Sequence, residues 1–199
     1  MAKIIGITGP SGSGKSLLCK YMSEAGLPCI DADAVYHSML TPSSEAVRAI
    51  SAVFGEGVIS SDGSLDRAAL SALVFNDKSK LTLLNSTVLP LVITKIENMI
   101  SELSDKGHKA VVVDAPTLIE SGFHKKCDLI VAVIAPTSSR LSRIETRDSI
   151  SPERANERVA AQMDDTFYTS VADITISNDA DELSFAEASL NLVKTIRSL

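Results

Sequence analysis

Short runs of almost uniformly apolar residues alternate along this chain with stretches in which apolar residues recur every three or four positions. Lys3 to Thr8 is the first such run, and the Gly-rich segment Gly9-Pro10-Ser11-Gly12-Ser13-Gly14 separates it from a helical pattern over Lys15 to Ala25. Leu27 to Ile30, Ala110 to Val113, Leu129 to Ile134 and Asp173 to Ser177 read as further strands, the last interrupted by Thr175. Helical periodicity covers Ala34 to Leu40, most of 43–106, Ser138 to Arg147, Pro152 to Met163 and Ala180 to Arg197. It breaks at Phe54-Gly55-Glu56-Gly57 and at Ser61-Asp62-Gly63. Strands apolar on both faces belong to a parallel sheet covered by helices on each side. The pattern therefore predicts one three-layer α/β/α domain over 1–199. A helical insertion at about 40–105 is placed to cover a substrate, and a lid is expected near 138–165.

The segment Gly9-Pro10-Ser11-Gly12-Ser13-Gly14-Lys15-Ser16 has the full G-x-x-x-x-G-K-[ST] spacing and sits between a predicted strand and a predicted helix. Backbone amides at such a turn can encircle a phosphate chain, Lys15 can reach the β and γ phosphates, and the Ser16 hydroxyl can coordinate Mg²⁺. A plain Gly-rich turn would not need the terminal Lys-Ser pair, so nucleoside triphosphate and Mg²⁺ binding is expected, on a P-loop nucleoside triphosphate hydrolase/kinase fold; the loop alone does not separate a kinase from a GTPase, an ATPase motor or a binding switch.

Asp31 and Asp33 follow the second strand, at the end of a parallel sheet where ligands bind. A carboxylate there can orient an acceptor hydroxyl and take its proton, and Asp33 is the candidate; capping the helix that follows is the alternative. Asp114 ends the Val111-Val112-Val113 run and is a second carboxylate expected to face the loop, unless Asp114-Ala115-Pro116 only makes a turn. Arg140, Arg143 and Arg147, spaced i, i+3 and i+7, share one helix face and suit a lid that neutralises phosphate charge. Arg154 and Arg158, interleaved with Glu153 and Glu157, read instead as a solvated, ion-paired helix.

Composition narrows the reading. With 19 basic and 25 acidic side chains in 199 residues, the net charge of −6 gives no support to a nucleic-acid or anionic-membrane surface. The longest uncharged run, Leu81 to Thr94, contains Asn85, Ser86 and Pro90 and falls short of the roughly 20 apolar residues of a membrane span. The N-terminus lacks a signal peptide's apolar region, and three cysteines, Cys19, Cys29 and Cys127, make no paired framework and no zinc spacing, so a reducing, cytoplasmic setting is expected. His37, His108 and His124 lack metal-ligand spacing, and no nucleophile elbow surrounds any serine. A guanine-reading Asn-Lys-x-Asp is absent, as is the His-Arg-Asp element of protein kinases. A soluble kinase for a small acceptor fits best, with a noncatalytic ATP-dependent switch or a nucleoside kinase still open.

The chain closely resembles the dephospho-coenzyme A kinase family from Ile4 to about Asn178. The resemblance lies in Gly6-Ile7-Thr8-Gly9 through Ser16, Ile30-Asp31-Ala32-Asp33, Phe54-Gly55, Asp62-Gly63-Ser64-Leu65-Asp66-Arg67, Val74-Phe75 and Val113-Asp114-Ala115-Pro116 through Glu120. It continues through Arg143, Arg147-Asp148, Ala161-Gln162 and Ala172-Asp173. It implies transfer of the ATP γ-phosphoryl group to the ribose 3′-hydroxyl of dephospho-coenzyme A, the last step of coenzyme A synthesis. By the same resemblance Asp33 activates the acceptor, Lys15 and Ser16 serve ATP and Mg²⁺, Arg140 and Arg147 are catalytic lid contacts, and Asp66, Arg67 and Asp114 shape the acceptor site. Leu89 stands where many relatives carry His before the Pro, Asp179 where Gly usually follows Asn, and Met163-Asp164-Asp165 lacks the basic residues of some relatives.

Overall fold

A computed structural model describes residues 1–75, 77–179 and 181–199 and separates them into two compact units, Met1–Asp31 with Ile100–Leu199, and Ala32–Met99. The strands are β1 (Lys3–Thr8), β2 (Cys29–Asp31), β3 (Ala110–Asp114), β4 (Leu129–Ile134) and β5 (Ile174–Ser177). Among the described residues the α-helices are α1 (Lys15–Glu24), α2 (Ala32–Ser38), α3 (Glu45–Phe54), α4 (Arg67–Val74), α5 (Lys78–Asp105), α6 (Thr137–Asp148), α7 (Pro152–Ala160), α8 (Asp165–Thr169) and α9 (Glu182–Arg197). None of these is long and apolar enough to cross a membrane.

Among the described residues all five strands lie in the first unit and pair in parallel in the order β2-β3-β1-β4-β5. The apolar runs predicted this: Val111, Val112 and Val113 are all fully buried, so both faces of β3 are covered. On one face Leu18 and Met22 of α1 and Phe185, Leu192 and Ile196 of α9 pack with Ile5, Ile7, Val112 and Val131. Each such side chain contributes about 1.5–3 kcal/mol by leaving water. On the other face Leu118 lies over Gly6, so close that an added Cβ would come within 2.8 Å of it. The chain passes to one side of β1 for β2 and β3 and to the other for β4 and β5. The carboxyl end of β1 is thus the reversal point at which open parallel sheets bind ligands.

The second unit contains α2, α3, α4 and most of α5, and Val35, Val47, Ile50, Val58, Leu70 and Val92 are buried in it. Ser44 caps α3 by accepting from the Val47 amide, and Asp66 caps α4 by accepting from Ala68 and Ala69. The predicted break at Ser61-Asp62-Gly63 is a turn closed by the antiparallel bridge Ile59–Leu65. Pro90 lies inside α5, a helix of 28 residues.

Several boundaries differ from expectation. α2 runs over Ala32–Ser38 and not Ala34 to Leu40, so Asp33 lies inside its first turn and not at a cap ahead of it. β2 starts at Cys29 and not Leu27, because Leu27 closes the turn after α1 by donating to the Met22 carbonyl, and Pro28 has no N–H for a ladder. α7 stops at Ala160, and Asp164 caps a separate α8 by accepting from the Phe167 amide, where a helix to Met163 was expected. The last helix begins at Glu182 behind the cap Asp181; its expected first residue, Ala180, lies outside the described residues.

Candidate active site

The loop between β1 and α1 bends through Gly9, Gly12 and Gly14 at φ of 137°, 78° and 108°, values that side-chain-bearing residues rarely adopt. Gly14 is the N-cap of α1 and supplies no side chain to cover the first-turn amides, which leaves that helix end open to an anion. Lys15 Nζ donates to the carbonyls of Gly9 at 2.7 Å and Pro10 at 3.0 Å, so its ammonium is held over the loop. Gly12, Gly14, Lys15, Ser16, Arg143 and Arg147 line one cleft of about 230 Å³. A Cβ on Gly9 would lie 2.1 Å from the backbone oxygen of Val133 in β4, which cannot move without breaking the ladder. Gly9→Ala is expected to cost about 3 kcal/mol from overpacking and the positive φ together, read as a fall of a molar or so in the urea midpoint.

Three arginines of α6 reach the loop. Arg140, only 5% exposed, donates from Nε to the Ser11 carbonyl at 3.1 Å and from Nη2 to Gln162 Oε1 at 2.8 Å, with Asp165 3.8 Å from its Nη1. Gln162 Oε1 also accepts from the Ser11 amide at 3.1 Å, a contact open to it because α7 has already ended. Arg143 donates to the carbonyls of Gly12 and Ser13 and to Asn178 beyond β5. Arg147 donates to Ser11 Oγ at 3.2 Å and, through Nε and Nη2, to both oxygens of Asp148, which also pairs with Arg158. The Arg147 guanidinium holds the Asp148 carboxyl below the usual carboxylate range. Arg158 was expected to pair with its neighbouring glutamates and pairs instead with Asp148 across the α6–α7 turn.

Asp114 ends β3 opposite Ile7 of β1 and Asp31 of β2, so the two carboxylates stand at one level of the sheet. The Cys19 thiol is pushed up, first by its hydrogen bond with Cys29, then by burial and by the charge of Asp114 beside it. Asp33 lies in the first turn of α2, immediately after β2, with its side chain exposed. Asp66 uses its carboxylate on the first amides of α4. Arg67 lines a cavity of about 220 Å³ inside the second unit, with Tyr36, His37, Leu40, Leu65 and Leu70. Among the described residues no group of three or more His, Cys, Asp or Glu is arranged to hold a metal ion.

Sequence reading found the loop, Lys15, Ser16 and the arginine face. It gave no role to Gln162 or Asn178, whose partners Ser11 and Ser13 are distant in the chain, nor to Asp148, whose partners are the adjacent Arg147 and Arg158 of the next helix.

A family model described as dephospho-CoA kinase matches residues 3–183 of the chain. The dephospho-CoA kinase of Dehalococcoides mccartyi is 37% identical over 177 residues, 89% of each protein. A crystal structure from Thermus thermophilus, 31% identical, superposes with a TM-score of 0.82 over 98% of this chain and 97% of that one. The dephospho-CoA kinase structure from Campylobacter jejuni, at 24% identity, has the same fold, with a TM-score of 0.73 over 98% of both chains.

Proposed function

This chain belongs to the dephospho-CoA kinase family, and we propose that its own residues transfer the γ-phosphoryl group of ATP to the ribose 3′-hydroxyl of dephospho-coenzyme A as follows. The loop Gly9–Ser16 cradles the phosphates with its amides, and Lys15, with its ammonium over the loop, neutralises the β and γ groups. The observation that carries this reading is the single cleft shared by the loop glycines, Lys15, Ser16 and two arginines. Arg147 contributes a guanidinium to the transferred group by releasing part of its fork from Asp148, and Arg140 keeps the loop and Gln162 in place beneath it. The segment 138–165 serves as the lid and about 40–105 carries the acceptor. There Arg67, beside Tyr36 and leucines, offers a cation next to apolar surface, and Asp66 fixes the start of α4 that presents it.

The donor set suits Mg²⁺. Among the described residues no cage of carboxylates is arranged for a metal ion; the Ser16 hydroxyl would hold the cation, with phosphate oxygens and water as its other ligands, the pattern Mg²⁺ prefers. When bound it neutralises charge on the β and γ phosphates; Asp114, at the end of β3, is assigned to a water of that shell or to the acceptor. The acceptor oxygen attacks phosphorus in line, the bond to the bridging oxygen breaks to leave ADP, and the hydroxyl proton goes to the Asp33 carboxylate. The reaction is an alcohol-acceptor phosphotransfer without a phosphoenzyme, and it is assigned to the cytoplasm.

Incubation with ATP, Mg²⁺ and dephospho-coenzyme A is expected to give acceptor-dependent ADP and a product of coenzyme A's mass. Folded protein that binds ATP and yields no phosphorylated acceptor would overturn the substrate assignment, and a panel of nucleosides and sugars would then be the next acceptors.

A further inference from the structure

We infer that Arg143 and Asn178 are positioning residues that aim the amides of the phosphate loop by holding its carbonyls from behind. The inference rests on the reading of this loop as the ATP phosphate site. A trans peptide is a rigid plane in which the carbonyl of one residue and the N–H of the next point in opposite directions. Pinning a carbonyl on the outer side of the loop therefore turns the following N–H to the inner side. Asn178 Nδ2 donates to the Ser13 carbonyl at 2.8 Å, and Arg143 Nη1 reaches the same oxygen at 3.4 Å, which fixes the peptide carrying the Gly14 N–H. Arg140 fixes the Ser11 carbonyl, and with it the Gly12 N–H. Gly12 and Gly14 are the loop glycines that line the cleft with Lys15 and Ser16. The intervening Ser13 N–H is spent inside the loop, donating to the Pro10 carbonyl at 3.3 Å, while Arg143 holds the Gly12 carbonyl at 3.1 Å.

The two positioning residues also fix each other. Arg143 Nη2 donates to the backbone oxygen of Asn178 at 3.2 Å and to its Oδ1 at 3.3 Å, which leaves Nδ2 as the only end of the amide that can face Ser13. Asn178 is 5% exposed, and a Cβ placed on Gly14 would lie 2.1 Å from Nδ2, so loop and side chain are packed without slack. A loop with three glycines at positive φ has many conformations to lose on binding, and holding it beforehand removes that cost from the nucleotide affinity. Lysine cannot replace Arg143, because a single ammonium cannot span both the loop carbonyls and Asn178 as the planar fork does.

Arg143 also lines the cleft, so its charge acts on the nucleotide directly; Asn178 is neutral and separates aim from charge. The test compares wild type with Asn178→Leu, Asn178→Ser and Arg143→Lys by calorimetric titration with ADP, steady-state kinetics for both substrates, thermal unfolding, and the amide resonances of Gly12 and Gly14 in the ligand-free protein. The expected result is an ADP affinity lower by about tenfold in each folded variant, a KM for dephospho-coenzyme A within twofold of wild type, and displaced Gly12 and Gly14 resonances. Two outcomes would overturn the inference: ADP affinity within twofold of wild type in the folded variants, or parallel weakening toward both substrates with the glycine resonances unmoved, the mark of a merely structural role. Wild type that binds no ADP would instead defeat the ATP-site reading itself, before any variant is compared.

Discussion

Lys15→Met is expected to lower kcat for ADP formation by about 10²–10³ while the unfolding temperature stays close to that of wild type. The lysine ammonium sits on the carbonyls of Gly9 and Pro10 at 2.7 and 3.0 Å, at the mouth of the cleft that Gly12, Gly14 and Ser16 also line. Charge that builds on the transferred phosphoryl group and on the departing ADP needs a cation already in place, and one preorganised donor of this kind is worth about 3–4 kcal/mol in the transition state. The same group contributes little to folding, because it is only half-buried and the two carbonyls it leaves can turn to water. The loss should therefore appear in kcat more than in stability. Lys15→Arg should fail almost as badly, since a planar guanidinium does not fit the compact seat between two adjacent carbonyls. A kcat within fivefold of wild type in Lys15→Met would remove Lys15 from the transfer step.

What could be read from the sequence follows from how local each interaction is. The strands were legible because β3 and β4 are buried on both faces, and a β-branched run such as Val111-Val112-Val113 suits a strand covered on both sides. The phosphate loop was legible because its chemistry is made by consecutive backbone units, and only a particular order of glycines permits the bends at Gly9, Gly12 and Gly14. The supports of that loop were not. Asn178 binds Ser13 across 165 residues and Arg140 binds Ser11 across 129, and in both cases the partner atom is a backbone carbonyl, which every residue possesses. No pairing rule between residue types can find such contacts.

Asp66 and Asp148 illustrate the converse. Each stands in a stretch that carries the family resemblance, and each has a definite structural role, Asp66 on the Ala68 and Ala69 amides and Asp148 between Arg147 and Arg158. A carboxylate in a recognisable motif is therefore as well accounted for by orienting its neighbours as by touching a substrate. That distinction bears directly on Asp33, for which capping and proton transfer were both open from the sequence.

Asp33→Asn separates the two roles, and it is expected to reduce kcat by about 10²–10⁴ with ADP affinity unchanged. Asparagine has the size of aspartate and is as good a residue at a helix N-terminus, so the first turn of α2 should survive the exchange. The amide oxygen can still accept a hydrogen bond from the ribose 3′-hydroxyl, and the acceptor can still be oriented. What the amide cannot do is take the proton as the oxygen attacks phosphorus, so the defect should fall on the transfer step and leave the KM values nearly untouched. Asp33→Ser extends the comparison, because serine too is accepted near a helix N-terminus and has no base of comparable strength. If both variants keep more than a fifth of wild-type kcat, Asp33 is not the base, and its place is that of an acidic residue in the first turn of α2. The proton must then go to the phosphoryl oxygens or to Asp31 or Asp114, the carboxylates at one level of the sheet, and Asp31→Asn and Asp114→Asn compared side by side would decide among the three.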